Sequence, residues 1–137
     1  MLGGAWMALV GAAPPGSIDA DISGLRSNRG QVLVCLTMRA DHFPDCHDDP
    51  QARRMAVPAA QAGALRFSGL PSGGYAIALI HDENGNNKLD TVLGIPREGF
   101  GFSCNPVIRF GAPKFAAARF AVTSGTVDET VRVKYML

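Results

Sequence analysis

Apolar and polar residues alternate along several short stretches of the chain, as is typical of β-strands that bury one face. The alternation is clearest in residues 18–22 and 131–135. Residues 31–37 are apolar on both faces, which predicts a central strand. In residues 75–80, every second residue from Ala76 onward is small or aliphatic, which predicts close packing against a second layer.

Turn-forming residues separate these apolar runs. The chain has 16 glycines and 9 prolines, and no stretch shows a convincing long helical periodicity. The pattern predicts about seven short strands in an all-β, antiparallel β-sandwich. We assign residues 17–137 to this single domain, because a chain of 137 residues can bury one substantial core.

Residues 1–16 differ from the rest of the chain because they begin with a run of small and apolar residues. Gly11 and Ala13 match the small residues that precede a secretory cleavage site, although the basic residues that usually open such a signal are absent. The run is too short to span a bilayer. We interpret residues 1–16 as a signal-peptide remnant or a disordered N-terminus, and we expect a periplasmic or secreted protein.

Charge gives little indication of a partner. The formal net charge is +1, and no cluster of basic residues is present beyond the pair Arg53 and Arg54. The charge pattern therefore gives no support for nucleic-acid binding. No transmembrane segment is expected. We expect a monomer whose partner, a protein or an envelope ligand, is not indicated by the sequence.

Three cysteines are compatible with one disulfide in an exported chain. We predict a bridge between Cys35 and Cys46, since a short turn separates them, and Cys104 is then left over. Pairing of Cys35 with Cys104 is the alternative. If the chain is not exported, all three are expected to be buried thiols.

Side chains that carry oxygen recur at every second position in the loop after residue 80. In calcium loops the first, third, fifth and ninth residues give side-chain oxygens, and the seventh gives a backbone carbonyl. With Asp82 as the first position, the sixth is Asn87, where calcium loops have Gly, and the twelfth is Leu93, where they have a bidentate Glu. We therefore predict a weak Ca²⁺ site with these ligands: Asp82, Asn84, Asn86, the carbonyl of Lys88, Asp90 and Glu98.

An alternative explains the same pattern without a metal. Asn and Asp side chains commonly hydrogen-bond to their own backbone in tight loops. The segment Gly94–Ser103, which lacks hydrophobic periodicity, is predicted to form no strand or helix of its own. We expect it to fold over the loop, with Glu98 directed at the loop and with Ile95, Phe100 and Phe102 buried.

Two long motifs, GGYAIALIHDENGNNKLD (residues 73–90) and GIPREGFGFS (residues 94–103), resemble a bacterial family of exported proteins catalogued as domain of unknown function 2141. A looser similarity extends over residues 31–120. Separately, LPSGGYAI (residues 70–77) looks like the proline-glycine-tyrosine turn of transthyretin-like and collagen-adhesin B-type sandwiches. The resemblance implies an immunoglobulin-like or prealbumin-like β-sandwich in the cell envelope. It implies no established activity.

The favoured function is a binding or structural module, and we assign no catalytic residue. The alternative is a small envelope enzyme of the hydrolase type that uses Glu98 with His81 and Asp82 as an acid–base pair. A third possibility is a transition-metal site at His42 and His47, but their spacing matches no standard ligand set.

Overall fold

The computed structural model describes residues 13–89, 91–92, 95–109 and 111–137, without side chains for 91–92. Of the predicted signal remnant, residues 1–16, the first twelve lie outside this part of the chain. The described part contains ten strands. They are β1 Gly16–Ser23, β2 Gln31–Thr37, β3 Arg53–Pro58, β4 Ala64–Leu70, β5 Gly73–Asp82, β6 Thr91–Val92, β7 Ile95–Pro96, β8 Gly99–Phe102, β9 Phe120–Val122 and β10 Gly125–Arg132.

Helical structure is confined to single turns in the described residues. A four-residue α-helix, α1, spans Phe115–Ala118, and two 3-10 turns span Ala40–His42 and Ala59–Gln61. No helix in the described ranges is long and apolar enough to cross a membrane.

The strands form two main sheets, which confirms the predicted all-β sandwich. The small sheet has the order β10-β1-β4, and the large sheet has the order β3-β2-β5-β8. Strand β9 pairs with the first residues of β5, and β6 pairs with β7 as a separate hairpin. All these pairs are antiparallel except β1 with β10, which run parallel from Gly16 opposite Gly125 to Ser23 opposite Arg132.

The main core lies between the two sheets and is built from alternate residues of their strands. Strand β1 contributes Ile18, Ala20 and Ile22, as the alternation predicts. The other sheet supplies a matching set from β2 and β5. Together the central members of the core are Ile18, Ala20, Val32, Val34, Leu36, Phe67, Tyr75, Ile77, Leu79, Val122 and Val131.

The structure corrects the prediction for Gly94–Ser103. This segment contains β7 and β8, and β8 pairs with β5 from Ala78 opposite Phe102 to His81 opposite Gly99. In the sequence Gly-Phe-Gly-Phe of β8, phenylalanines alternate with glycines, which have no side chain. One face of the strand is therefore apolar, and the other face carries no side chains. A side-chain carbon at Gly101 would lie 2.8 Å from Cγ1 of Val131, so glycine allows β10 to pack directly on the backbone of β8.

The cysteine prediction is confirmed. Cys35 and Cys46 form a disulfide with their Cα atoms 5.7 Å apart. Cys104 is a free, exposed thiol. The bridge attaches the loop after the first 3-10 turn to the outer face of the large sheet, where Cys35 lies.

Candidate functional site

Asp82, the last residue of β5, organises the loop that was predicted to hold a cation. Its side chain is 0% exposed. One carboxylate oxygen accepts the N–H of Asn86 at 3.2 Å, and the other accepts the N–H of Asn87 at 2.7 Å. The second oxygen also accepts a hydrogen bond from Nε2 of Gln31 at 3.0 Å. The buried carboxylate therefore fixes the loop through its backbone.

The asparagines of the loop bond to its backbone as well. The side-chain oxygen of Asn84 accepts the N–H of Asn86, and that of Asn86 accepts the N–H of Lys88, both at 3.2 Å. These contacts match the alternative of an asparagine-rich hairpin loop. Asn87 has a φ of 65°, so it adopts the left-handed conformation for which glycine is preferred at the sixth position.

Glu98 lies against the start of the same loop. It is 5% exposed, and its Oε2 accepts the N–H groups of Glu83 at 2.7 Å and of Asn84 at 3.4 Å. Glu98 is therefore directed at the loop, as expected, and accepts N–H groups of the loop backbone. Phe100 and Phe102 are buried as predicted, whereas Ile95 is 44% exposed and its predicted burial is wrong.

The donor set of the predicted Ca²⁺ site is only partly within the described residues. Asp82, Asn84 and Asn86 are hard oxygen donors that share one loop and suit calcium. Asp90, the predicted ninth-position ligand, lies outside the described residues. No group of three or more His, Cys, Asp or Glu side chains is arranged for a metal within the described ranges.

His81 and Asp82 do not form the acid–base pair of the enzyme alternative. They are neighbours in β5, so their side chains point to opposite faces of the sheet. Both are fully buried. Nε2 of His81 donates to the carbonyl of Arg29 at 2.8 Å, and Nδ1 lies 2.7 Å from the Tyr135 hydroxyl. His81 is thus part of the hydrogen-bonded interior.

A second carboxylate, Glu83, holds several segments at this end of the sandwich. Its Oε1 accepts hydrogen bonds from Arg26 at 2.6 and 3.1 Å, and its Oε2 accepts them from Ser27 at 2.9 Å and Arg29 at 3.1 Å. The Arg26 guanidinium, which also lies 4.4 Å from the centre of the Tyr135 ring, lowers the pKa of Glu83 to about 2. The network fixes residues 26–29 to the end of β5, and it lies outside the groove described below.

The histidine pair in the disulfide-linked loop belongs to no group of three or more metal-ligating side chains within the described residues. Nδ1 of His42 donates to the carbonyl of His47, which leaves Nε2 as the ring nitrogen that could act as a ligand. Cys46, the nearest sulfur, is in the disulfide and cannot act as a thiolate ligand.

The outer face of the large sheet, away from the main core, is also apolar. Register places Ala56, Leu33, Ile80 and Phe100 side by side across four strands, from β3 to β8. The next outward row contains Arg54, Cys35, Ala78 and Phe102. These two rows form the floor of a groove, which we call the outer groove.

The walls of the outer groove come from loops on both sides of the sheet. The disulfide-linked loop contributes Pro44 and Asp45 to one wall. A second wall is formed by Ile108, Arg109, Gly111 and Ala112. The third wall includes Asn87 from the predicted cation loop. The cavity has a volume of about 1070 Å³, and its remaining apolar wall residues are Leu89, Ile95, Pro96, Ile108, Ala112 and Met136.

Part of the outer groove is filled by a second cluster of buried side chains. The ring centre of Phe43 lies 5.9 Å from that of Phe102, with the two rings tilted by 57°, and 5.9 Å from that of Phe115 of α1, in an edge-on arrangement. The cluster leaves Leu33 and Ile80 partly exposed. The apolar floor therefore continues from a packed end into an open cleft.

Sequence reasoning missed the outer groove, although one signal for it was present. Strand β2 is apolar on both faces, and β5 has Ala76, Ala78 and Ile80 on the face opposite the core. A strand of this kind needs cover on both sides. The sequence did not indicate that the face opposite the main core would be only partly covered.

Comparison with known proteins gives a family and no activity. A family model described as "Uncharacterized protein conserved in bacteria (DUF2141)" matches residues 20–130. No curated protein and no solved structure matches the chain.

Proposed function

The chain belongs to this family of uncharacterized bacterial proteins, and we propose that it is an exported β-sandwich module that binds an apolar ligand in the outer groove. The observation that carries the proposal is the groove itself. A cavity of about 1070 Å³ with a mostly apolar lining has the size and character of a small-molecule site. An outer sheet face would otherwise be expected to be polar.

Export is supported by the disulfide. Such bonds persist in oxidising compartments and are rare in the cytosol. The bridge between Cys35 and Cys46 also supports the groove, because it attaches the wall at Pro44 and Asp45 to the floor. A site that depends on this bridge suits the periplasm or the extracellular space.

A neutral fluorescent dye such as Nile red tests the proposal. We expect saturable binding of one dye per chain, with an increase in fluorescence as the dye leaves water. Ala56→Trp places a large ring on the exposed part of the floor and should weaken binding at least about tenfold, the equivalent of roughly 1.4 kcal/mol. Ala64→Trp, at an exposed position on the opposite sheet, is the matched control.

The outcome of the dye experiment decides between two readings of the groove. Binding that is lost in Ala56→Trp and kept in Ala64→Trp supports a ligand site. Absence of saturable binding to the wild type, or equal losses in both variants, would overturn the proposal.

A calcium-binding loop is the second candidate function. It is supported by Asp82, Asn84 and Asn86, whose side-chain oxygens all accept N–H groups of residues 86–88 and so share the inside of one loop. Calcium would supply a charge that links these oxygens. Affinity should be low, with a Kd of roughly 10⁻⁴–10⁻³ M, as in extracellular modules with few charged ligands.

Calcium titration followed by thermal unfolding tests the loop. We expect Tm to rise at millimolar Ca²⁺ in the wild type and in Asn28→Ala, an exposed asparagine outside the loop. The rise should be lost in Asn86→Ala. If Tm does not respond to Ca²⁺ in the wild type, the loop is stabilised by its own hydrogen bonds alone.

A further inference from the structure

We propose that the ligand of the outer groove is a single-chain amphiphile, whose hydrocarbon tail lies on the apolar floor and whose anionic head is bound by Arg54 and Arg109. This inference rests on the proposed function and adds the chemical class of the ligand. It follows from the shape of the floor and from the charges around it.

The floor is suited to an extended hydrocarbon chain. Leu33, Ile80 and Phe100 form a continuous apolar row across three neighbouring strands, and Ala56 extends it to the edge strand. With neighbouring strands about 4.8 Å apart, four strands give a row about 14 Å long. A flexible alkyl chain can follow such a row and bury apolar area along its whole length.

A peptide fits the same floor less well. A peptide backbone carries one donor and one acceptor at nearly every residue, and each needs a partner when buried. In the described part of the lining, the polar side chains are those of Asp45, Arg54, Asn87 and Arg109. Of these, Asn87 already accepts a hydrogen bond from Gln31 at 2.8 Å. A hydrocarbon chain has no such requirement.

The charge at the outer groove favours an anion. Among the lining residues that the structure describes, the charged ones are Arg54, Arg109 and Asp45, which together carry a net charge of +1. Within the described part of the chain, neither Arg54 nor Arg109 has an ion pair or side-chain hydrogen bond. The neighbouring Arg53, by contrast, donates to the carbonyls of Ser68 and Gly69 at 3.0 and 3.1 Å.

The position of Arg54 connects its charge to the apolar floor. Arg54 lies opposite Cys35 in the second outward row, beside the row of Leu33 and Ile80. A guanidinium next to apolar surface is weakly hydrated and can bind a carboxylate or a phosphate through two parallel hydrogen bonds. The anionic head and the apolar tail would thus be bound by adjacent parts of one site.

Competition against Nile red with three probes tests the inference. The probes are palmitate, hexadecyl phosphate and hexadecanol, each used below the concentration at which it forms micelles. We expect at least one anionic probe to bind about tenfold or more tightly than the alcohol, because only the anions can pair with arginine. A comparison of palmitate with hexadecyl phosphate distinguishes a fatty-acid ligand from a phosphate-headed lipid.

Charge variants locate the head group. The double variant Arg54→Gln with Arg109→Gln should reduce the affinity for the anionic probes to about the affinity for hexadecanol. The control Arg66→Gln removes one positive charge from an exposed ion pair with Asp19 on the opposite sheet, and it should leave the affinities for all three probes unchanged. Equal binding of the three probes by the wild type, or displacement of the dye by an apolar peptide but by none of the probes, would overturn the inference.

The experiment separates this inference from the proposed function. If Nile red fails to bind the wild type, the outer groove is no ligand site and both proposals fail. If Nile red binds but the head group has no effect, the apolar site stands and only the assignment of an anionic amphiphile fails.

Discussion

One hydroxyl group, that of Ser103, supports β5 at the point where this strand changes its neighbour. Strand β5 pairs with β9 at residues 73–75 and with β8 at residues 78–81. Between them, the N–H of Ile77 donates to Oγ of Ser103 at 2.9 Å, and Oγ donates to the carbonyl of Ala118. Ser103 is fully buried. Its hydroxyl therefore satisfies backbone groups that no strand reaches.

Replacement of Ser103 should be costly because it leaves buried backbone groups without partners. We expect Ser103→Ala to lower the free energy of unfolding by about 1–3 kcal/mol. Urea denaturation measures the change, and Ser124→Ala, at an exposed position, is the control. Equal stability of the two variants would show that the hydroxyl is dispensable.

Glu83 should make stability depend on pH in acid. Hydrogen bonding to Arg26 lowers its pKa in the folded protein to about 2, whereas the ordinary value is 4.5. As pH falls from about 5 to about 2, the unfolded chain binds a proton at this site and the folded protein does not, so the unfolded state gains stability. The contribution of Glu83 is fully present above pH 5 and lost near pH 2.

Denaturation of Glu83→Gln across this range tests the effect. The wild type should be more stable than the variant at pH 7, and the difference should shrink as pH falls toward 2. Arg26→Gln should show a weaker pH dependence of the same sign, since the partner is removed. A difference between wild type and Glu83→Gln that stays constant with pH would contradict the assignment.

At the scale of elements, the disulfide links stability to the shape of the outer groove. It closes a loop between residues separated by 11 positions, which is worth about 3 kcal/mol in the chain-entropy description. We expect the double variant Cys35→Ala with Cys46→Ala to be less stable by about this amount. Its dye binding should also weaken, because the wall at Pro44 and Asp45 is no longer attached to the floor.

Reduction provides the matching measurement. A thiol reductant should lower the Tm of the wild type and leave the Tm of the double variant unchanged. The free thiol of Cys104 gives a control, since Cys104→Ser should respond to reductant as the wild type does. A wild-type Tm that is insensitive to full reduction would refute the stabilising role.

The elements that were predictable from sequence are those with a local signal. Strands β1 and β2 show their faces in the order of apolar residues, and the loop at Asp82 shows its oxygens at alternate positions. Strand β8 was hidden because one face consists of glycine. The first six residues of β10 contain one aliphatic residue, Val127, which gave no recognisable pattern, so only the region around Val131 was predicted as a strand.

The outer groove could not be predicted in the same way because it has no local signal. Its floor joins residues of four strands, and its walls come from loops more than fifty positions apart in sequence, such as those of Pro44 and Ile108. Only the pairing register brings them together. Glu98 was different, because its closeness to the loop in sequence limited where it could lie.

At the scale of the whole molecule, the two sheets share one core and should unfold together. Residues from both sheets, such as Ile18 and Ile77, belong to the same buried cluster. We expect thermal unfolding to be a single transition, with coincident midpoints from far-ultraviolet and near-ultraviolet circular dichroism. Separate midpoints would show that one sheet can persist without the other.

The parallel pairing of β1 with β10 has a consequence for the timing of folding. The hydroxyl groups of Ser17 and Thr126 form a hydrogen bond across a separation of 109 positions. Strand β1 can therefore pair with β10 only after almost the whole chain is available. Contacts this distant in sequence slow folding, typically into the range of milliseconds to seconds. The small sheet of a nascent chain therefore cannot be completed until β10 has been synthesised.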